Sequence, residues 1–130
     1  MDQTALVSPD VSAGRRLVDA LDSSLHVEAA FWWMEDGTWR LFLVTPLVHE
    51  QGPLSVYSRI RDIIASTREL PSDLWDSIAV VSPRSGMITA FDGEGRIPLG
   101  RIILNESIKS VYITGAYFYK FQPKTFAKAS

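Results

Sequence analysis

Between Val27 and Pro46, apolar side chains fill both alternating sets of positions, so the two extended runs of this segment leave almost no polar face. The runs flank Asp36-Gly37, a pair that accepts the left-handed backbone angles of a two-residue hairpin turn. The pattern predicts strands over 26–34 and 38–46, with Met34 opposite Trp39, Trp33 opposite Arg40 and Phe31 opposite Phe42. Trp32, Met34, Trp39, Leu41 and Leu43 then share one face, and Phe31, Trp33, Phe42 and Val44 the other. A ribbon apolar on both faces has to be covered on both, which predicts the middle of a sheet rather than its rim.

Helical spacing appears twice. Ser8-Pro9-Asp10 combines a capping side chain, a proline suited to a first turn and an acid at the positive end of the helix dipole. Val11, Gly14, Leu17, Val18 and Leu21 follow at helical intervals and predict an amphipathic helix over 9–23, with Arg15, Arg16, Asp19 and Asp22 on its wet side. Gly52-Pro53 opens a second helix over 53–68, with Leu54, Tyr57, Ile60, Ile63 and Ile64 on one face and Leu70-Pro71 ending it. A single helical turn is expected over 71–75, a short buried strand over 77–82 and a short helix over 85–91.

After the Gly-rich loop at 92–95, the runs 98–104 and 111–121 read as an antiparallel pair turning between Asn105 and Ser110. Strict alternation along the last strand puts Val111, Ile113, Gly115, Tyr117, Tyr119 and Phe121 on one side, and Tyr112, Thr114, Ala116, Phe118 and Lys120 on the other. The order α-β-β-α-β-(α)-β-β predicts an α+β domain over 1–123, a mainly antiparallel sheet of about five strands covered by two main helices. Residues 124–130 read as a loose tail.

Composition narrows the class. In 130 residues, 46% hydrophobic and 22% charged is an ordinary globular balance. A chain this long buries about two-thirds of its unfolded surface. There is no cysteine, so disulfides and thiolate metal sites are excluded, and neither a membrane-spanning run nor a secretory leader is read. Cytoplasmic location is the expectation. Net charge is −2, but Arg101, Lys109, Lys120, Lys124 and Lys128 face only Glu106 over 101–130, so the last part of the chain is locally basic.

Candidate chemistry is sparse. His26 and His49 are the two imidazoles, the second beside Glu50, and no carboxylates stand at metal-ligand spacing from them. No nucleophile elbow or phosphate cradle is present, and Asp92 and Glu94 would repel phosphate from the Gly-rich loop. We expect no enzyme, no cofactor and no metal. Arg40, opposite Trp33, is expected to stack on the indole.

That leaves binding. Four Trp, four Tyr and six Phe exceed what two long helices are needed to cover, which predicts aromatic area shared with another chain. The last strand, read as an edge, makes Tyr112, Tyr117, Tyr119, Lys120 and Phe121 the candidate partner-binding residues of a protein-interaction module or accessory subunit, homodimeric in one form. The alternative is single-stranded nucleic acid held by stacking and by Arg101, Lys109, Lys120 and Lys124. The spaced pattern Trp39-Arg40-Leu41, Gly52-Pro53 with Val56-Tyr57 and Ile60, and Ile113 with Ala116-Tyr117-Phe118-Tyr119-Lys120 resembles short bacterial single-domain proteins over residues 14–120. The resemblance implies a bacterial cytoplasmic setting and no activity.

Overall fold

The computed structural model describes residues 9–67, 70–91 and 96–122. Its first helix, α1 (Val11–Leu25), is capped by Asp10, whose carboxylate accepts from the Ala13 amide at 3.0 Å. The helix therefore starts and ends two residues later than its spacing predicts, and Ser8 lies outside the described residues. Strands β1 (Ala29–Glu35) and β2 (Thr38–Val44) form the expected hairpin in the expected register, Phe31 with Phe42, Trp33 with Arg40 and Met34 with Trp39. Asp36 and Gly37 carry φ of 52° and 79°, the doubly left-handed turn that matches strand twist.

Helix α2 (Leu47–Gln51) has no counterpart in the residue pattern, whereas α3 (Pro53–Ser66) does. The buried row on α3 is Val56, Ile60 and Ile64, whereas Leu54 is 84% exposed, so the row runs in steps of four from Val56 and Leu54 points away from it. A 3₁₀ turn over Ser72–Ser77 leads into β3 (Ile78–Val81), which pairs in parallel with β2. Residues 47–77 supply the long crossover a parallel pair requires. Helix α4 (Gly86–Thr89), β4 (Ile102–Ile108) and β5 (Val111–Phe121) complete the chain of elements. The fold is α+β, with a five-stranded mixed sheet in the order β3-β2-β1-β5-β4. β1 is its middle strand, as its two dry faces require.

Two expectations fail at β5. The strand is not an edge: it lies between β1 and β4, and β4 is the edge. Nor does it alternate strictly. Ala30 pairs with Lys120 and Phe31 with Phe118, so Tyr119 is an extra residue, a β-bulge that turns Tyr119 and Lys120 to one face and Phe121 to the other. A second break lies near Thr114: Ile113 packs with Phe31 and Phe118, yet Gly115 abuts Trp39 and Met34 on the opposite face. On the facing strand Asn105 takes φ of 50°, and the pairs on either side, Leu104 with Gly115 and Glu106 with Ile113, keep register. Both strands thus change phase together. The strand also runs on through Asn105, Glu106 and Ser107 to turn at Lys109-Ser110, because these polar residues lie on an edge rather than in a turn.

The faces are covered differently. Leu17, Leu21 and Leu25 of α1 with Ile60 and Ile64 of α3 close over Trp32, Trp39, Leu41 and Leu43. The second face holds Phe31, Phe42, Val44 and Phe118, covered by Ile88 of α4, by Phe91, and by Ile108 and Val111 where the β4–β5 hairpin bends back across it. Its rings lie close, Phe31 to Phe118 at 4.8 Å and Phe91 to Phe121 at 5.6 Å between centroids. The aromatic surplus is therefore largely used inside the chain.

Thr45 joins three elements. It is 1% exposed; its hydroxyl donates to the Leu25 carbonyl that ends α1 and accepts from the Leu47 amide that begins α2, while its own amide donates to Val81 of β3. Thr45→Val keeps the shape and strands the first two partners in the interior. We expect a loss of about 2 kcal/mol in urea denaturation, with Thr45→Ser, which retains the hydroxyl, losing less.

Candidate functional site

The bulge carries Tyr119 into the core beneath α1, where it is 5% exposed. The Trp32 indole Nε1 donates to its Oη at 2.9 Å, and that hydroxyl donates to the Val11 carbonyl at 2.6 Å in the first turn of α1. Gly14 permits the approach: a Cβ there would meet the Tyr119 hydroxyl and lie 2.8 Å from Trp32 Nε1. Arg15 spreads over the other side of the ring, 4.9 Å from its centroid. Burial pushes the Tyr119 phenol from an ordinary 10.0 up to about 12, against the opposing pull of the Trp32 hydrogen bond. Tyr119 is thus a structural residue rather than a contact one.

The other candidate partner-binding residues divide. Lys120 places its Nζ 3.0 Å from Asp22 of α1. Phe121 is half-buried in the second-face ring cluster, and Tyr117 packs edge-on to Tyr119 at 5.2 Å. Tyr112 is 61% exposed, with its hydroxyl donating to Asn105 Oδ1 at 3.2 Å. Sequence reasoning missed two further exposed apolar residues on the same hairpin, Ile102 and Leu104, two apart on β4 and so on one side of that strand. They pair with Tyr117 and Gly115 on the helix-covered side of the sheet, beyond the reach of α1 and α3. The missed signal is the edge itself, since an apolar residue on β4 has a neighbouring strand on one flank only.

The cations named in the nucleic-acid reading do not form one strip. Arg101 is held by Glu106 at 3.0 Å on the β4 edge, and Lys124 lies outside the described residues. Lys109, at the bent hairpin tip, instead lines a cleft of about 290 Å³ on the second face together with Arg96 and Lys120, over Phe91, Ile97 and Phe121. Arg40 pairs with Glu35 at 3.6 Å; the cations set over rings among the described residues are Arg15 on Tyr119 and Arg61 on Trp75.

His49 on α2 is exposed and shares a 3.0 Å hydrogen bond with Ser82, and Glu50 beside it is exposed. His26 follows α1 with φ of 52° and borders a shallow cleft with Asp22 and Glu28. Among the described residues no group of three or more His, Asp or Glu stands where a metal could be held, and no helix is long and apolar enough to cross a membrane. Compared with known families, with curated proteins and with solved structures, the chain finds a match in none of the three.

The raised phenol sets a direction for alkaline stability. Because the folded form holds its proton longer than the unfolded form, Tyr119 contributes fully below pH 10 and its contribution is lost as pH rises from 10.0 toward 12. Urea denaturation across that range is expected to lose about 2–3 kcal/mol from this group. Tyr119→Phe is expected to flatten that decline while costing about 1–3 kcal/mol at neutral pH, since the Trp32 N–H then has no acceptor.

Proposed function

We propose that this chain is a non-catalytic protein-interaction module that associates through the outer side of β4, its occupant a second copy of the same chain. One observation carries the reading. Of the five large apolar side chains exposed among the described residues, Ile102, Leu104 and Tyr112 lie on the β4–β5 hairpin, the first two on one side of β4. Arg101 and Glu106 are bonded to each other at 3.0 Å, and Glu106 pairs with Ile113 of the second face, so what the strip offers a partner is apolar area rather than charge. About a two-fold axis each copy presents the same apolar strip to the other, so the patch complements itself without an unpaired charge.

The contact is made by side chains rather than by lengthening the sheet, because the left-handed Asn105 turns the edge aside after three residues. Three exposed side chains offer at most a few hundred Å². This is below the roughly 800 Å² per partner of a standard interface, and we expect a dissociation constant on the order of tens of micromolar. The cytoplasmic and bacterial setting implied by the sequence resemblance belongs to the same proposal. Single-stranded nucleic acid is the weaker reading, since Arg101 and Lys120 are already committed to Glu106 and Asp22.

Light scattering after size exclusion at rising concentration is expected to move the mass from one chain toward two. Leu104→Glu or Ile102→Glu should hold it at one chain with an unchanged circular-dichroism spectrum. A single-chain mass at every concentration sinks the proposal.

A further inference from the structure

Of the sheet's two edges, β3 is the one whose own residues carry no defence. Ile78-Ala79-Val80-Val81 is wholly apolar, with neither a charge nor a proline nor a shift of register in its four residues. At the other edge β4 has Glu106 and the left-handed Asn105. An apolar strand with its outer flank free is a template on which another strand can add.

The backbone shows how that flank is occupied. The Val81 carbonyl accepts from the Thr45 amide at the end of β2, so Val81 and Ala79 face β2. Ile78 and Val80, the alternate residues, turn their N–H and C=O groups outward. Both outward N–H groups are taken from within the chain. That of Ile78 donates to the Trp75 carbonyl of the 3₁₀ turn, and that of Val80 donates to the Tyr57 hydroxyl of α3 at 2.9 Å. The second bond differs in kind: a side-chain oxygen, carried from a helix on the first face, stands where the carbonyl of a further strand would be. Stacked rings hold it there. Tyr57 meets Trp75 edge-on at 5.8 Å, and the Arg61 guanidinium lies 5.6 Å from the Trp75 ring centroid.

We propose that Tyr57 is a lock on the β3 edge, its hydroxyl standing in for the absent strand while its ring fills the flank on which a second copy of the chain would add its own β3. A second copy is the occupant that the opened flank suits, because two such strands set antiparallel about a two-fold axis offer each other the same apolar row and the same outward groups. The lock does not rest on how the β4 strip is used, since the two edges lie at opposite ends of the sheet.

The test uses the full chain carrying Leu104→Glu, so that any association is read apart from the β4 strip. Tyr57→Phe removes the hydroxyl and keeps the ring. Hydrogen exchange at the Val80 amide is expected to rise about tenfold or more, with the Val81 amide, which faces β2, unchanged and the mass still that of one chain. Tyr57→Ala also clears the flank. Light scattering at rising concentration should then show two chains and larger species, with an added infrared band from intermolecular sheet. Val80→Pro in that same chain removes the outward N–H, a change an edge strand tolerates, and should return the mass to one chain. Unchanged Val80 exchange in Tyr57→Phe overturns the proposal, and decides the case even where Tyr57→Ala fails to fold. A folded Tyr57→Ala chain that stays single at every concentration, or association that Val80→Pro does not reverse, overturns it as well.

Discussion

Neither side of β1 is wet: Ala29, Ala30 and Phe31 are fully buried and Trp32 is 2% exposed. Burying four consecutive residues of a strand requires a layer on each side, and this chain has only two α-helices of more than five residues among those described. Both lie on the Trp32 face. The Phe31 face is closed by what remains, a one-turn helix, Phe91 and the sheet's own last hairpin. To bend that hairpin across the face, β4 and β5 break their alternation together at Asn105 and Thr114, and β5 bulges again at Tyr119. The exposed strip on β4 and the cleft below the hairpin tip are the outer and inner surfaces of this bend.

The α1 side shows how closely the first layer is fitted. An indole N–H, a phenol and a backbone carbonyl are joined in series across it, and they reach one another because residue 14 has no side chain. A buried polar chain of this kind stabilises only when every member has its partner. Here the bulge that displaces Tyr119 from the β5 ladder is what brings its hydroxyl to Val11. Irregularity on one face therefore serves order on the other.

Much of this is legible in the residue pattern. Periodicity locates α1, α3, the first hairpin with its register, β3 and the span of β5, because each is governed by local spacing and a recognisable turn. What it misses shares one cause. Strict alternation cannot register a bulge, so it assigns Lys120 and Phe121 to the wrong faces and Val111 and Ile113 to the face of Tyr117. Strand order is non-local, so β5, rich in rings, reads as an edge when its central place is the reason for those rings. The β4 strip and the cationic cleft both arise from tertiary folding of the hairpin, which places Lys109 near Lys120 although a whole strand separates them in sequence. Polar Asn105-Glu106-Ser107 resembles a turn for the same reason: edge position, not local preference, keeps these residues extended.

The insertion of β5 between β1 and β4 also governs timing. Trp32 and Tyr119 are 87 residues apart, so the most apolar strand of the molecule cannot acquire its second neighbour until nearly everything described has been synthesised. Long-range pairing of this kind slows folding, and on the ribosome one flank of a ribbon carrying three tryptophans stays open meanwhile. The emerging polypeptide is thus at its most adhesive just before its last strand docks, a stage at which chaperones have a ready-made target and at which crowding with sister chains is most hazardous.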